Sequence, residues 1–197
     1  MSATPAPAPD RPATDLDALH QRVWAELVRA CADRHHEWRL PVLASVDGQG
    51  LPQARTVVLR QADAAAGELA WNTDRRSPKA AQLRARPDAV LVFWSRRLSW
   101  QLRATLRVEV LDAGPRVEAA WQRVAAGRTA QDYLAVHPPG TVLASGGTAP
   151  LAGPAAAHHL AVLVGRVQAL DWLELHREEG PRRARLAPAG AGCWLVP

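Results

Sequence analysis

The sequence predicts a mainly β fold, a β-barrel of six antiparallel strands with peripheral helices, and three observations carry that prediction. From Leu98 to Val110 apolar residues alternate with polar ones without a break. A period of two over that length marks one long strand with a core face and a solvent face, longer than a small flat sheet needs. The remaining strand-like segments follow one another in meander order, separated by turn residues such as Asp47-Gly48-Gln49-Gly50, which favours closure of an antiparallel sheet on itself. Helical periodicity is confined to a few short stretches at the periphery of that order.

In chain order, Leu16, Leu19, Val23, Leu27 and Ala30 recur at helical spacing, so residues 14–34 are expected to form an amphipathic helix. Leu40–Val46 and Gln53–Arg60 read as the two arms of a hairpin, and Gly67–Asn72 as a third strand. Ser77–Arg86 is a short helix stopped by Pro87. Ala89–Trp94 is almost wholly apolar and is expected to be buried on both faces. Pro115–Ala126 and Thr129–Val136 read as helices, and the Pro/Gly/Ala-rich segment 137–157 as a lid or arm. Residues 159–175 return to strand, and Arg183–Leu186 with Cys193–Val196 form a last hairpin. Residues 1–13, rich in Ala and Pro, are expected to be a disordered tail, and 14–197 a single domain.

Composition narrows the function classes. No apolar run reaches the ~18 residues of a membrane-spanning helix, and two cysteines, Cys31 and Cys193, make no disulfide framework. A cytoplasmic protein is expected. The net charge of +5 is spread along the chain in short pairs such as Arg75-Arg76, with no concentrated basic stripe. That argues against nucleic acid and for local anion sites. Cys31 and His35, four apart, do not complete a metal set, so no metal is expected.

One stretch stands out chemically. Of 24 Lys and Arg residues only Lys79 is lysine, and Asn72 is the only asparagine. Both fall within Trp71-Asn-Thr-Asp-Arg-Arg-Ser-Pro-Lys79. Serine is a preferred N-cap and proline a preferred first helical residue, so a helix starts at Ser77-Pro78 with free N–H groups and with Arg76 and Lys79 beside them. That is an anion site of the kind that holds phosphate; an ordinary capped helix with solvated cations is the competing reading. Arg55 and Arg60 lie within a strand at odd separation, hence on opposite faces. Gln101 lies on the polar face of the long strand, where its amide could both donate and accept.

Taken in order, Arg55–Arg60, Asn72-Thr73-Asp74, Ser77-Pro78-Lys79-Ala80, Trp100-Gln101, Trp172 and Arg183-Ala184-Arg185 resemble the pyridoxamine phosphate oxidase-like FMN-binding family over roughly residues 37–197. The resemblance implies an FMN-binding split barrel, six-stranded and antiparallel, that forms a homodimer with FMN at the interface. It implies that Arg55, Lys79 and the Ser77-Pro78 helix start hold the FMN phosphate. Thr56, Val57, Val58, Asn72 and Thr73 would line the flavin and ribityl chain, with Gln101 facing the ring and Arg60 near its reactive edge. Trp172 and Arg185 would come from the partner subunit. The implied activity is flavin-mediated hydride transfer on a small molecule, with no side chain evident as general acid or base. A non-catalytic flavin carrier or sensor and a deazaflavin-dependent reductase are the alternatives.

Two departures bear on the substrate. The oxidases carry a basic residue immediately before the lysine, where this chain has Pro78. Near their C-terminus they carry Arg-Leu-His-Asp-Arg, where this chain has Pro181-Arg-Arg-Ala-Arg185 without the histidine. Both argue against pyridoxamine phosphate as an efficient substrate.

Overall fold

The computed structural model describes residues 15–143, 146–147, 150, 157–175, 180–188, 190 and 192–197. The expected tail, 1–13, and part of the expected lid lie outside the described residues. Helix α1 (Asp15–Ala32) and a 3₁₀ turn (Glu37–Arg39) precede strands β1 (Val42–Val46), β2 (Pro52–Thr56), β3 (Leu59–Asp63) and β4 (Glu68–Asp74). Helix α2 (Pro78–Ala85) leads to β5 (Asp88–Ser95) and β6 (Trp100–Leu111), and α3 (Pro115–Ala125) with a 3₁₀ segment (Arg128–Tyr133) follows. Strands β7 (Leu160–Glu174), β8 (Arg182–Leu186) and β9 (Gly192–Leu195) complete the chain.

All pairings are antiparallel in one sheet of order β2-β1-β5-β6-β7-β4-β3, with β8 added to β7 and β9 to β8. Leu43 of β1, Leu59 of β3, Trp71 of β4, Phe93 of β5, Leu102 of β6 and Trp172 of β7 meet in one buried cluster. Strands from both ends of the sheet share that core, so the sheet is coiled on itself as a barrel. Trp38, Trp71, Trp100 and Trp172 are its largest fully buried side chains. Trp100 and Trp172 meet edge to face, with ring centroids 5.2 Å apart, an arrangement aromatic pairs favour.

Among the described residues nine strands form in place of the six expected. The segment read as one strand, Gln53–Arg60, breaks at Val57-Val58, because β2 pairs with β1 whereas β3 pairs with β4. The chain turns there from one end of the sheet to the other, leaving Val57 buried beneath the corner. Strand β5 is not buried on both faces. Ala89, Leu91 and Phe93 point into the core, while Val90 and Val92 are partly covered and Trp94 is exposed. Double burial falls instead on the first half of β7, whose outer residues Leu160, Val162 and Val164 pack with Val117, Ala120 and Val124 of α3 in a second cluster. The expected helix at 129–136 is the 3₁₀ segment ending at Tyr133.

The Asp47 turn forms as read. Asp47 Oδ1 accepts from the N–H groups of Gln49 and Leu51, both at 2.9 Å, and Gly50 takes the left-handed conformation at φ 87°, which glycine adopts without strain.

A buried carboxylate pins α1 to the barrel. Glu26 Oε2 lies 2.8 Å from His36 Nε2 and 3.2 Å from Arg97 Nη2, and Oε1 lies 3.2 Å from Arg29 Nη1. His36 Nδ1 accepts from the Trp38 N–H, so Nε2 carries the proton that Glu26 accepts. The pin ties α1, the 3₁₀ turn and the β5–β6 turn together. Glu26→Ala should therefore cost about 3 kcal/mol, the low end for removing one partner of a buried pair, read as a lower urea midpoint. A loss under ~0.5 kcal/mol would mean that the pin holds nothing.

Candidate functional site: a basic cluster at the start of helix α2

The end of β4 and the start of α2 build the site. Asp74 closes the turn between them: its carbonyl accepts from the Ser77 N–H at 3.0 Å and its Oδ1 from the Arg76 N–H at 2.8 Å. Pro78 then opens the helix with Ser77 as an extended N-cap, φ −67° and ψ 149°. The Ser77 hydroxyl makes no capping bond; its Oγ lies 3.0 Å from Thr73 Oγ1. The helix start therefore keeps N–H groups that its own cap does not take up.

Two cations converge there on neutral partners. Lys79 Nζ donates to Thr73 Oγ1 at 2.9 Å. Arg55 Nη1 donates to Ser45 Oγ at 2.6 Å and its Nη2 to Gln82 Oε1 at 3.1 Å. Burial lowers the Lys79 pKa first, the nearby Arg55 guanidinium lowers it further, and Asp74 opposes both. Burial also lowers the pKa of Arg55. Two like charges held close, half-buried, with hydroxyls and an amide for partners are electrostatically unfinished. A phosphate monoester would suit them: its charge would answer both cations, and its oxygens match the ammonium, the guanidinium fork and the helix N–H groups.

Arg76 is not part of this cluster, contrary to expectation. Its guanidinium binds Asp74, with Nη2 2.8 Å from Oδ2, and donates to the carbonyl of Ala135 at 2.8 Å and of Val136 at 3.1 Å. It is neutralised and fastens the segment after Tyr133. Ser45 and Gln82, which hold Arg55, escaped the sequence reading. The available signal was a serine at an inward position of β1, next but one to Leu43.

The other candidate residues occupy different places. Thr56 is exposed and Val58 partly so at the β2–β3 corner. Arg60 and Asn72 do not join Lys79; both line a cavity on the α3 side of β3 and β4. Gln101 lies on the outer face of β6, opposite Trp94 of β5. Arg185 is exposed on β8. The Trp172 ring is fully buried, with Trp100 on one side and Trp194, 6.3 Å away, on another.

Comparison with known proteins places this geometry. Residues 21–112, which include the whole α2 cluster, match the family model described as pyridoxamine 5'-phosphate oxidase, FMN-binding domain. Over that stretch, a little under half of the chain, the sequence is similar to the FMN-binding domain of that family. The cofactor of the domain is FMN, and the α2 cluster fits its phosphate. Among curated relatives, the pyridoxine/pyridoxamine 5'-phosphate oxidase of Chromohalobacter salexigens is 41% identical over 105 residues, 52% of this chain and 45% of that protein. The Anaeromyxobacter dehalogenans protein of the same name is 37% identical over 103 residues, 52% of this chain and 47% of that one. The chain thus matches these relatives over about half their length. Among solved structures, an FMN-binding protein from Nostoc punctiforme related to pyridoxamine 5'-phosphate oxidase aligns with TM-score 0.72 at 20% identity, covering 98% of this chain and 100% of that one. PhzG from Burkholderia lata aligns with TM-score 0.69 at 16% identity and covers 98% of both chains. At these identities the structural matches establish the shared fold.

Lys79→Ala should weaken FMN by ten- to a hundredfold, about 1.5–3 kcal/mol for one charge-assisted hydrogen bond, and riboflavin by far less. Arg96→Ala, a cation outside the cluster, should change neither. Lys79 must be protonated to hold phosphate, and its pKa is lowered. FMN affinity should therefore fall with rising pH before the ordinary lysine value of about 10.4 is reached. Fluorescence titration of apo-protein across pH checks both outcomes, and an affinity flat up to pH 10.5 would exclude Lys79 from the site.

Proposed function

We propose that the protein is an FMN-dependent oxidoreductase, acting as a homodimer on a small molecule other than pyridoxamine phosphate. The α2 cluster inside the FMN-binding domain carries the reading: Lys79 and Arg55, both without a carboxylate partner among the described residues, await a phosphate. In this reading Arg55, Lys79 and the backbone after Pro78 anchor the phosphate end, and Thr73 and Ser77 orient Lys79. Thr56, Val57 and Val58 offer the corner of the barrel to the ribityl chain and ring. Bound FMN supplies the redox chemistry, and the protein positions it and excludes water.

The homodimer is supported by the outer face of β1 and β5. Val42 pairs with Val92 and Ala44 with Val90, and Val42 and Trp94 are 39% and 48% exposed. Apolar side chains so arrayed across two strands form a patch that a second copy would cover. Gln101 borders this patch opposite Trp94, so covering it would bring the partner's residues to a flavin facing Gln101. Arg185 is the exposed contributor on β8. Trp172, buried beneath it, would serve to stiffen the β7–β8 pair rather than to touch the ring.

The C-terminal strands support the exclusion of pyridoxamine phosphate. Arg183 forms a bidentate pair with Asp171, at 3.0 and 2.8 Å, and that hydrogen-bonded guanidinium lowers the Asp171 pKa. Arg182 lies over the Trp172 and Trp194 rings, 5.7 and 5.2 Å from their centroids. Pro181 thus stands where the oxidases place the arginine, Arg183 is engaged where they place the histidine, and Arg182 between them is held over the rings. The PhzG structure holds tetrahydrophenazine-1-carboxylic acid, a ring system without a phosphate, which supports a wider substrate range on this fold.

FMN should bind the apo-protein at micromolar concentration or below, about −8 kcal/mol or stronger, and the loaded protein should sediment as a dimer. Trp94→Arg should shift it toward monomer and weaken FMN together. An oxygen-coupled assay with pyridoxamine phosphate should give an efficiency at least about a hundredfold below that of a genuine oxidase, the loss expected from two charge-assisted hydrogen bonds. No binding up to ~100 µM FMN would overturn the reading, and an efficiency within tenfold would overturn the exclusion.

A further inference from the structure

The segment after Tyr133 is fastened across the start of α2. Within it, Pro138-Pro139-Gly140-Thr141 forms a tight turn. The Thr141 N–H and Oγ1 both donate to the Pro138 carbonyl, at 3.2 and 2.7 Å, and Gly140 takes φ 92°. Proline followed by a glycine in the left-handed region is the sequence of a type II turn, so these residues set their own shape. The turn rests on the helix start. A Cβ built on Gly140 would lie 3.7 Å from Pro78 Cγ, and Pro78 stands between the Ser77 cap and Lys79.

Hydrogen bonds, not burial, hold this segment in place. Every residue from 136 to 143 is exposed. Tyr133, buried in the second cluster, is its fixed root, and the Tyr133 carbonyl accepts from the His159 N–H at 2.8 Å. The Val136 N–H donates to the Pro150 carbonyl at 2.9 Å. Among the described residues, the other polar hold is a single side chain. Arg76 donates to the carbonyls of Ala135, Val136 and His137, at 2.8, 3.1 and 3.5 Å. Asp74, only 3% exposed, sets the guanidinium for this by accepting from it through both oxygens. The Arg76 backbone belongs to the turn that opens α2, so one residue ties the helix start to the segment lying over it. A surface stretch with few buried contacts opens locally at low free energy, and here that free energy depends on one guanidinium.

We propose that residues 134–143 are a strap that gates the phosphate site at the start of α2, with Arg76 as the latch that sets how often it opens. The proposal rests on the α2 cluster being the FMN phosphate site, and it concerns exchange of that ligand, not its recognition. Lys79 and Arg55 hold the phosphate, whereas the Arg76 side chain is spent on Asp74 and the strap. A gate that closes equally over an empty and a filled site scales entry and exit by the same open fraction, and leaves their ratio alone. Loosening the latch therefore speeds both. Loss of a direct ligand contact acts mainly on exit.

The test is Arg76→Lys, which keeps a cation beside Asp74 but lacks the planar fork that spans successive carbonyls. Stopped-flow fluorescence of FMN with apo-protein should show association and dissociation both faster by about tenfold, the weight of roughly one net hydrogen bond, with Kd within about threefold of wild type. Arg75→Lys, the same exchange one residue earlier, should alter neither rate. Hydrogen exchange of the apo-proteins, read by mass spectrometry, gives a measurement free of flavin. The peptide spanning 134–143 should exchange faster in Arg76→Lys while α2 stays as in wild type. Unaltered FMN rates, a Kd weakened through dissociation alone, equal exchange of 134–143 in the two proteins, or faster exchange spreading into α2 would each overturn the gate. Failure of the wild-type protein to bind FMN would instead overturn the reading of the site, and the gate with it.

Discussion

Strand β7 governs where everything else can be. One edge is hydrogen-bonded to β6 along nearly its whole length, and the other edge is divided, β4 taking residues 160–166 and β8 residues 170–174. That division fixes the end of β4 opposite Leu160, and so the point at which the chain turns into α2. It also roots the C-terminal hairpin that carries Arg183 and Arg185. The close approach of three strands shows at Gly165, where a Cβ would lie 2.8 Å from Leu106 Cδ1 and 3.2 Å from the Trp71 ring. A larger residue there would have to displace the end of the Leu106 side chain and crowd the Trp71 ring at the centre of the barrel.

Alternation along β3 and β4 separates two electrostatic environments a strand's thickness apart. Toward α2, Thr73 passes one hydroxyl to Lys79 and meets another from Ser77. Toward α3, Asn72 and the bulged Arg60 face guanidinium groups. Asp74 is committed to Arg76, so the one carboxylate in the turn fastens a loop and forms no ion pair with Lys79, acting on it only at a distance. Charge is thus sorted by pairing: acids are consumed by structural arginines, and a small set of cations is left with neutral company.

What the sequence revealed follows from how local each signal is. The alternation of β6, the Asp47 turn and the Ser77-Pro78 helix start depend on neighbouring residues, and each reads correctly. The odd separation of Arg55 and Arg60 implies opposite faces only along one unbroken strand. They lie on different strands, β2 and β3, and the break between them is what puts them in two environments. The break at Val57-Val58 is invisible because valine suits a strand as well as a corner; only the partners, β1 before and β4 after, decide it. The apolar run of β5 suggests double burial because one chain alone does not show which face a second copy would cover. Arg76 reads as a phosphate ligand because its competitor is the carboxylate two residues earlier together with carbonyls some sixty residues away, and the latter have no local signature.

The scarcity of lysine has an electrochemical consequence for the whole molecule. Arginine does not discharge in any ordinary buffer, and histidine is already neutral above pH 7.5 or so. Beyond the chain's amino terminus, Lys79 is therefore the single cationic group able to release its proton in the alkaline range. Rising pH would extinguish the charge at one helix start, earlier than for an ordinary lysine, while the rest of the positive surface stays constant. The anchor for a phosphate is in this way isolated as a titratable element, set against a background of fixed charge.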